Sequence, residues 1–311
     1  MTAKNPAAKY PAPKNPEEVQ QNPGGCLYLV ATPIGNLEDI TLRALRILKE
    51  ADQIACEDTR HTQKLLAHYD IHKPLISYHE HNEGKRATEL AAALEQGAKI
   101  ALVSDAGMPL VSDPGHRLVE LCLQSHIPVV PIPGPSALLA ALSGSGMPLE
   151  AFLFVGFLPA RSGERRRALE RLRIEERTII LYEAPHRLAE CVVDALEILG
   201  DRPACLAREL TKLHEEFLRG KLSEIRTSLE KRAVRGEITL ILGPPSAAEA
   251  SAHVNSSQTL AARVEELMQQ AHLDRKEALK LAAKEHGLTR RAAYSQLVSA
   301  QAGEAGGGDD V

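Results

Sequence analysis

The chain has 311 residues, of which 44% are hydrophobic and 25% charged, a balance typical of globular proteins that excludes a disordered or collagen-like chain overall. The length suggests two domains plus a remainder, each domain large enough to bury its own core. The net charge is −4, from 37 Lys and Arg against 41 Asp and Glu, so any nucleic-acid site must be a local basic patch and a histone-like binder is excluded.

The N-terminal segment and the cysteines bear on location. Residues 1–25 contain five prolines and lack the apolar run of a secretory signal, so we expect a disordered leader. The five cysteines form no CxxC pair, which argues against a zinc, redox or disulfide motif and favours a reducing cytoplasm. Residues 121–149 carry no Asp, Glu, Lys or Arg, but their prolines break any membrane-spanning helix, so we expect no membrane association.

Over the first half, short apolar runs alternate with amphipathic stretches, the pattern of an α/β domain with largely parallel strands. The predicted strands are 26–31, 53–56, 74–77, 99–104 and 127–131. The predicted helices are 41–51, 60–68, 85–96, 116–125 and 136–142. The segment SGSGMP at 143–148 predicts a linker because Gly and Pro are dense in it. We therefore expect an N-terminal α/β domain over residues 26–146.

The second half repeats this alternation. Strands are predicted at 152–156, 177–182, 204–208, 214–219 and 237–242, with helical patterns between most of them. They predict a second α/β domain over residues 150–244, with some antiparallel pairing where connections are short. Residues 245–257 are predicted to be a linker, 258–300 to be helical, and 301–311 to be a disordered tail.

Three early strands end in loops rich in glycine and proline. These loops are TPIGN at 32–36, SDAGMPLVSDPG at 104–115 and PGPSA at 133–137. Ligands of open α/β sheets bind beyond the carboxyl ends of the strands, and Gly and Pro let the backbone approach a ligand closely and rigidly. We expect the three loops to meet at one pocket. Singly, each could be an ordinary turn, with Asn36 or Asp39 as a helix cap.

Phosphate-binding motifs are missing from these loops. Neither GxGxxG nor GxxxxGK[ST] follows a strand. The chain therefore lacks the residues with which dinucleotide-binding enzymes and P-loop NTPases bind phosphate groups. Asp105 and Asp113 could be paired acids or magnesium ligands. A carboxylate just after a buried strand is more simply an acceptor for a ligand's amine or hydroxyl groups, and Asp113 before Pro114 suits a cap or turn.

Eight spaced motifs carry a resemblance to a known family. They are ATPIGNLEDITLRAL, CEDTRHT, SYHEHNE, VSDAGMPLVSDPG, PIPGPSALLAALSGSG, FLFVGFLP, LYEAPHRL and ARELTKLHEE. Over residues 26–244 the chain resembles the ribosomal small subunit methyltransferase I family, within the tetrapyrrole methylase-like superfamily. The resemblance implies two α/β domains with S-adenosylmethionine in the cleft between them. It also implies methylation of the ribose 2′-oxygen of a cytidine in the decoding region of 16S rRNA by a cytoplasmic homodimer.

The resemblance further implies which residues surround the cofactor. They are Pro33, Gly35, Ser104, Asp105, Ala106, Gly107, Ser136 and Ala137 in the first domain, and Tyr182, Ala207 and Thr239 in the second. The first loop departs from the GxGxGD pattern of the tetrapyrrole enzymes. This departure favours the rRNA branch and makes a porphyrin-like substrate a weaker expectation.

Methyl transfer from a sulfonium is an in-line displacement that depends on positioning and needs no metal. A ribose hydroxyl is a weak nucleophile, so a general base beside it contributes about 10²–10⁴-fold. SYHEHNE, EDTRHT and YEAPHR supply polar candidates, from which we name Glu80, Glu183 and Arg60 as catalytic residues. The alternative is that these residues cap helices and line a solvated loop. The HEH sequence at 79–81 could also suggest a metal site, but no third ligand follows it at a suitable spacing, so we do not expect one.

Two basic segments are candidates for RNA contact. Residues 160–177 contain seven Arg against four Glu, enough to hold phosphates, although such a run also suits a solvated helix with internal ion pairs. Residues 273–297 resemble a helix-turn-helix with a turn at 286–288. The predicted RNA-binding residues are Arg161, Arg165, Arg166, Arg167, Arg187, Arg290 and Arg291.

Two other functions stay open. One is a methyltransferase of the same superfamily that acts on a tetrapyrrole or another metabolite. The other is a regulator that binds S-adenosylmethionine or RNA without catalysis. The basic segments favour rRNA or the small ribosomal subunit as the partner, and cofactor binding would separate the regulator from the two enzymes.

Overall fold

The computed structural model describes residues 24–231, 234–245, 260–270, 273–285 and 292–294. Two five-stranded sheets with helices around them form the described part of the chain, which confirms the predicted α/β class. The predicted tail, nearly all of the predicted leader and all but the first residue of the linker at 245–257 lie outside the described residues.

The first sheet is parallel throughout, in the order β3-β2-β4-β1-β5. Its strands are β1 (Cys26–Val30), β2 (Gln53–Cys56), β3 (Leu75–Ser77), β4 (Lys99–Val103) and β5 (Val129–Ile132). The helices are α1 (Leu42–Glu50), α2 (Thr59–His68), α3 (Glu83–Glu95), α4 (His116–Gln124) and α5 (Ala137–Ser145). Because helices cover both faces, β1 is apolar along its whole length, with Leu27 and Val30 in different core clusters.

The strand order explains why the three predicted loops come together. β4, β1 and β5 are neighbours, so the loops that follow them leave from one edge of the sheet. The first two loops are also joined through their backbones. The Thr32 N–H donates to the Gly107 carbonyl at 2.9 Å, and the Gly107 N–H donates to the Thr32 carbonyl at 3.0 Å. These contacts hold the carboxyl edge of the sheet in a fixed shape.

The second sheet is mixed, in the order β6-β7-β10-β8-β9. Its strands are β6 (Phe152–Phe157), β7 (Thr178–Glu183), β8 (Pro203–Arg208), β9 (Glu216–Lys221) and β10 (Ile238–Leu242). The helices are α6 (Ser162–Arg171), α7 (Leu188–Leu199) and α8 (Leu222–Glu230). β8 pairs antiparallel with β9 and β10, whereas β6 and β7 are parallel. The prediction of antiparallel pairing across short connections is confirmed.

Helix α5 connects the two sheets, and here one prediction is partly wrong. The first three residues of the predicted linker at 143–148 form the last turn of α5, which ends at Gly146 with φ +77°. Leu138 and Leu142 of α5 pack against residues of β7, β8 and β10. A helix that begins at the edge of the first sheet therefore covers one face of the second sheet.

Two further helices, α9 (Leu260–Gln270) and α10 (Arg275–Glu285), share a small core that includes Leu260, Val264 and Leu279. They agree with the helical prediction for 258–300, although the predicted turn at 286–288 lies outside the described residues. Over the described ranges, no helix is long and apolar enough to cross a membrane. The five cysteines are buried and unpaired.

Candidate functional site

A cavity of about 360 Å³ lies between the carboxyl edge of the first sheet and the face of the second, within the size range of small-molecule sites. Each of the three predicted loops contributes to its lining, through Ile34, Ala106 and Ser136. The expectation that the loops meet at one pocket is therefore confirmed. The second sheet contributes the ends of β6, β7, β8 and β10 and the segment just before β10.

Most of the predicted cofactor-binding residues line this cavity. They are Asp105, Ala106, Gly107, Ser136, Ala137, Tyr182, Ala207 and Thr239. Sequence reasoning missed a further set on the same loops and strands: Met108, Val111, Ser112, Phe157, Ala184, Pro185, Leu210 and Gly236. The residues at 108–113 could have been predicted to line the cavity, because they belong to the same glycine- and proline-rich loop as Asp105, Ala106 and Gly107.

Three predicted residues do not line the cavity, and the structure gives each another place. Pro33 is buried, and Ser104 is buried with its hydroxyl donating to the Gly107 carbonyl at 3.0 Å. Gly35 faces the second half of the chain. A Cβ at Gly35 would lie 2.3 Å from Lys212 Cγ and 2.9 Å from the Leu210 carbonyl oxygen. Gly35 therefore permits close packing of the first loop on the segment after β8, while Ile34 reaches the cavity.

The loop at 104–115 has an unusual backbone. Leu110 and Ser112 have φ values of +73° and +67°, a conformation that costs a non-glycine residue about 1–3 kcal/mol and is enriched at active sites and ligand clamps. Glu83 of α3 holds the end of this loop, because its Oε1 accepts from the Gly115 N–H at 3.1 Å and from the Tyr78 hydroxyl at 3.0 Å. Glu83 of the SYHEHNE motif is thus an anchor for the loop.

The charged lining of the cavity is entirely acidic. Asp105, Asp113, Glu183 and Glu237 line it, and none of the described lining residues is Lys, Arg or His. Low-dielectric walls strengthen the field of such a cluster. The cavity therefore favours a ligand with positive charge.

Asp113 is a lining carboxylate with a raised pKa. Burial, with the nearby charges of Glu57 and Asp105, raises the pKa of Asp113 to about 6. Burial also raises the pKa of Glu57. Of the two roles expected for Asp113, the helix cap is wrong, since Gly115 is the N-cap of α4, whereas Asp113 does lie in a bend of the loop. The structure instead places a carboxyl group that titrates near neutral pH in the cavity wall.

Of the three predicted catalytic residues, Glu183 lines the cavity and the other two do not. Glu183 Oε1 accepts from Arg187 Nη2 at 2.6 Å and Nε at 2.9 Å, so this carboxylate fixes the position of Arg187. Glu80 is exposed. Arg60 is also exposed and pairs with Asp58, the N-cap of α2, at 3.1 Å.

The basic segment is less available to RNA than its sequence suggests. The Arg165 side chain is 2% exposed and donates to Asp194 at 2.7 Å and to Glu190 at 3.2 Å, so its predicted contact with RNA is wrong. Arg166 is half-exposed and pairs with Asp194 and Glu197.

Five of the seven arginines at 160–177 form ion pairs with carboxylates: Arg161, Arg165, Arg166, Arg173 and Arg177. Arg161 and Arg167 remain exposed, whereas Arg187 is held by Glu183. Arg290 and Arg291 lie outside the described residues. The exposed basic surface of this segment is therefore smaller than its seven arginines suggest.

Comparison with known proteins places this fold in a class. Residues 26–226 match the family described as Tetrapyrrole (Corrin/Porphyrin) Methylases. Uroporphyrin-III C-methyl transferase from Thermus thermophilus complexed with S-adenyl homocysteine is similar with a TM-score of 0.50 and 22% identity, covering 70% of this chain and 97% of that one. Diphthine synthase is similar with a TM-score of 0.56 and 13% identity, covering 70% and 90%. These two structures have the same fold as the chain.

Curated relatives narrow the class. The chain is 53% identical over 223 residues to ribosomal RNA small subunit methyltransferase I of Halalkalibacterium halodurans, covering 72% of this chain and 77% of the relative. It is 45% identical over 274 residues to the protein of the same name from Micromonospora olivasterospora, covering 88% and 86%. The chain belongs to the ribosomal RNA small subunit methyltransferase I family of the tetrapyrrole methylases, and it is a methyltransferase.

Proposed function

We propose that the protein transfers the methyl group of S-adenosylmethionine to the ribose 2′-oxygen of a cytidine in the decoding region of 16S rRNA. The observation that carries this proposal is the acidic cavity at the carboxyl edge of the first sheet, closed by the second sheet. The relatives named for ribosomal RNA are 45% and 53% identical to the chain, whereas the uroporphyrin enzyme is 22% identical. This contrast favours a ribosomal substrate over a tetrapyrrole.

The lining fits the cofactor. When bound, S-adenosylmethionine supplies a methyl group on a positively charged sulfur, together with a positively charged amino group. The carboxylates of Asp105 and Asp113 provide the opposite charge, whereas Glu183 and Glu237 are paired with Arg187 and Lys212. Ala106 and Gly107 carry small side chains or none, so the backbone of the loop can approach a flat ligand closely. We assign the cofactor to the lining residues of these loops and of β7, β8 and β10.

We propose Asp113 as the acceptor of the 2′-hydroxyl proton. It lies in the cavity wall, and its raised pKa of about 6 lets it hold a proton near neutral pH while being ionised before the reaction. Glu183 acts differently, because its carboxylate is committed to Arg187. We therefore propose Glu183 as a positioning residue. Glu80 and Arg60 do not line the cavity, and we assign neither of them a step in the reaction.

The proposed RNA contacts lie outside the cavity. Exposed Arg161 and Arg167, with Arg187 beside the cavity, are the described arginines that we propose to meet phosphates. The proposed partner is the small ribosomal subunit or its 16S rRNA. We also propose a homodimer in the cytoplasm, and light scattering of the purified protein after gel filtration tests the dimer.

The direct test uses small subunits from a strain that lacks the enzyme. Incubation with labelled S-adenosylmethionine should place label on 16S rRNA, and mapping of ribose methylation should locate it on one cytidine. Subunits from a strain that has the enzyme are the matched control and should accept little label. Label on a metabolite with none on rRNA would overturn the proposal in favour of a small-molecule methyltransferase.

A further inference from the structure

Phe157 is an exposed aromatic side chain at the mouth of the cavity. It ends β6, lines the cavity and is 54% exposed. Its ring centroid lies 5.6 Å from that of Tyr182, which lies 5.0 Å from that of Phe154. The chain contains four Phe, six Tyr and no Trp, so this site holds three of its few aromatic rings. An exposed phenyl ring at a cavity mouth is an apolar surface that a ligand can cover.

A β-bulge directs Phe157 to this place. Phe157 pairs with Tyr182 and Phe154 pairs with Ile180, so two residues of β6 stand opposite a single residue of β7. With strict alternation, Phe157 would share the face of Val155, which packs on the opposite side of the sheet in its larger core. The extra residue returns Phe157 to the side of Tyr182 and the cavity. Bulges beside active sites commonly re-aim a side chain in this way.

The bulge is fixed by contact with the first half of the chain. Gly156 has φ +73°, and a Cβ there would lie 2.9 Å from Ser112 Oγ. A side chain at position 156 would therefore be strained and would press on the Ser112 side chain of the loop at 104–115. That loop also contains Asp113, so the position of Phe157 is tied to the residues that line the cavity opposite it.

A ribose within a folded rRNA can reach the bottom of a cavity only if its nucleotide leaves the stack. The unstacked base then needs a new apolar partner, and an aromatic face is the one that proteins commonly provide. The four carboxylates of the lining cannot serve this purpose. We propose that Phe157 is the platform on which the base of the target nucleotide stacks, which places its ribose at the cavity. This inference rests on the proposed function.

The test compares three variants of the full chain with small subunits that lack the methyl group. Phe157→Ala should lower kcat/KM by about 5- to 150-fold, the range for loss of one base–aromatic stack, mainly through a higher KM. Phe157→Tyr keeps the ring and should retain most of the activity. Leu42→Ala removes another strongly exposed apolar side chain, away from the cavity lining, and should leave kcat/KM unchanged.

Affinity for S-adenosylhomocysteine, measured by calorimetry, separates the base from the cofactor. Unchanged affinity in Phe157→Ala with lower kcat/KM supports the proposal. A matching loss of cofactor affinity would assign the ring to the cofactor and overturn it, as would full activity of Phe157→Ala. Failure of the wild-type protein to methylate the subunits would overturn the proposed function itself, and this is seen before any variant is compared.

Discussion

Replacing Asp113 with Asn tests the electrostatics of the cavity directly. The pKa of Asp113 is raised from 3.8 to about 6 because burial and the charges of Glu57 and Asp105 disfavour its ionised form. The folded protein therefore binds a proton that the unfolded chain releases between these two values. The ionised carboxyl group destabilises the fold above pH 6, and this cost disappears as the pH falls towards 3.8.

The magnitude follows from the two pKa values. A shift of about two units at 1.36 kcal/mol per unit corresponds to at most about 3 kcal/mol at pH 7. At pH 4.5 the folded state is mostly protonated while the unfolded state is mostly ionised, which leaves a cost of about 1 kcal/mol. Because Asn is neutral at both pH values, Asp113→Asn should raise the free energy of unfolding by about 2–3 kcal/mol at pH 7 and by about 1 kcal/mol at pH 4.5.

Urea denaturation of the wild type and the variant at both pH values measures these differences. Asp39→Asn, at an exposed position, is the matched control and should change stability by less than about 0.5 kcal/mol at either pH. The same Asp113→Asn protein should lose methyl transfer by about 10²–10⁴-fold, since it removes the proposed proton acceptor. A variant less stable than wild type at pH 7, or a gain that is equal at both pH values, would refute the electrostatic reasoning.

Three further predictions concern the cofactor, the core and the C-terminal helices. Asp105→Ala removes a lining carboxylate that also accepts a hydrogen bond from the Asp58 N–H at 3.2 Å. Calorimetry should show that this variant is folded and binds the cofactor about tenfold more weakly. Normal affinity would mean that the cofactor lies elsewhere. Arg165→Ala leaves the buried Asp194 carboxylate without its buried partner. Urea denaturation should show a free energy of unfolding about 3 kcal/mol lower than that of the wild type. Arg161→Ala, which removes one member of an exposed ion pair, should change this free energy little. Deletion of residues 258–311 should weaken binding to small subunits in a filter assay, and unchanged binding would contradict a role for this segment in RNA contact.

The fold was largely predictable because its signals are local. Apolar runs bounded by Gly and Pro mark the strands, and all ten strands of the two sheets lie within about two residues of their predicted bounds. The meeting of the three loops was predictable as well, because neighbouring parallel strands end at one edge. The end of α5 was not. Glycine and serine at 143–145 predict a linker, but packing of Leu142 on the second sheet keeps the last turn helical.

Features that depend on long-range contacts were not predictable. Arg165 belongs to a basic run, and its burial follows from Asp194 on a different helix. Gly35 suits a ligand-binding loop, but its partners lie on the segment at 210–212. The raised pKa of Asp113 comes first from its burial in the folded cavity wall and then from the charge of Glu57 at another strand end. The bulge that turns Phe157 to the cavity adds one residue to β6; Gly156 within the strand is a local sign of a bulge, but it does not indicate which face Phe157 takes.

The charges around the cavity explain how an acidic chain can act on RNA. The lining is acidic, so it attracts a cationic cofactor and repels phosphate groups. Arg187 lies beside this lining with its charge balanced by Glu183, and the exposed Arg161 and Arg167 lie on α6 or at its start, just after β6. When a nucleotide enters with its ribose towards the cavity and its phosphates towards these arginines, its phosphates avoid the acidic lining and lie near positive charge. A nucleotide that enters phosphate-first meets the carboxylates of Asp105 and Asp113. On this reasoning, the division of charge selects the orientation of the substrate, while the ring of Phe157 holds its base.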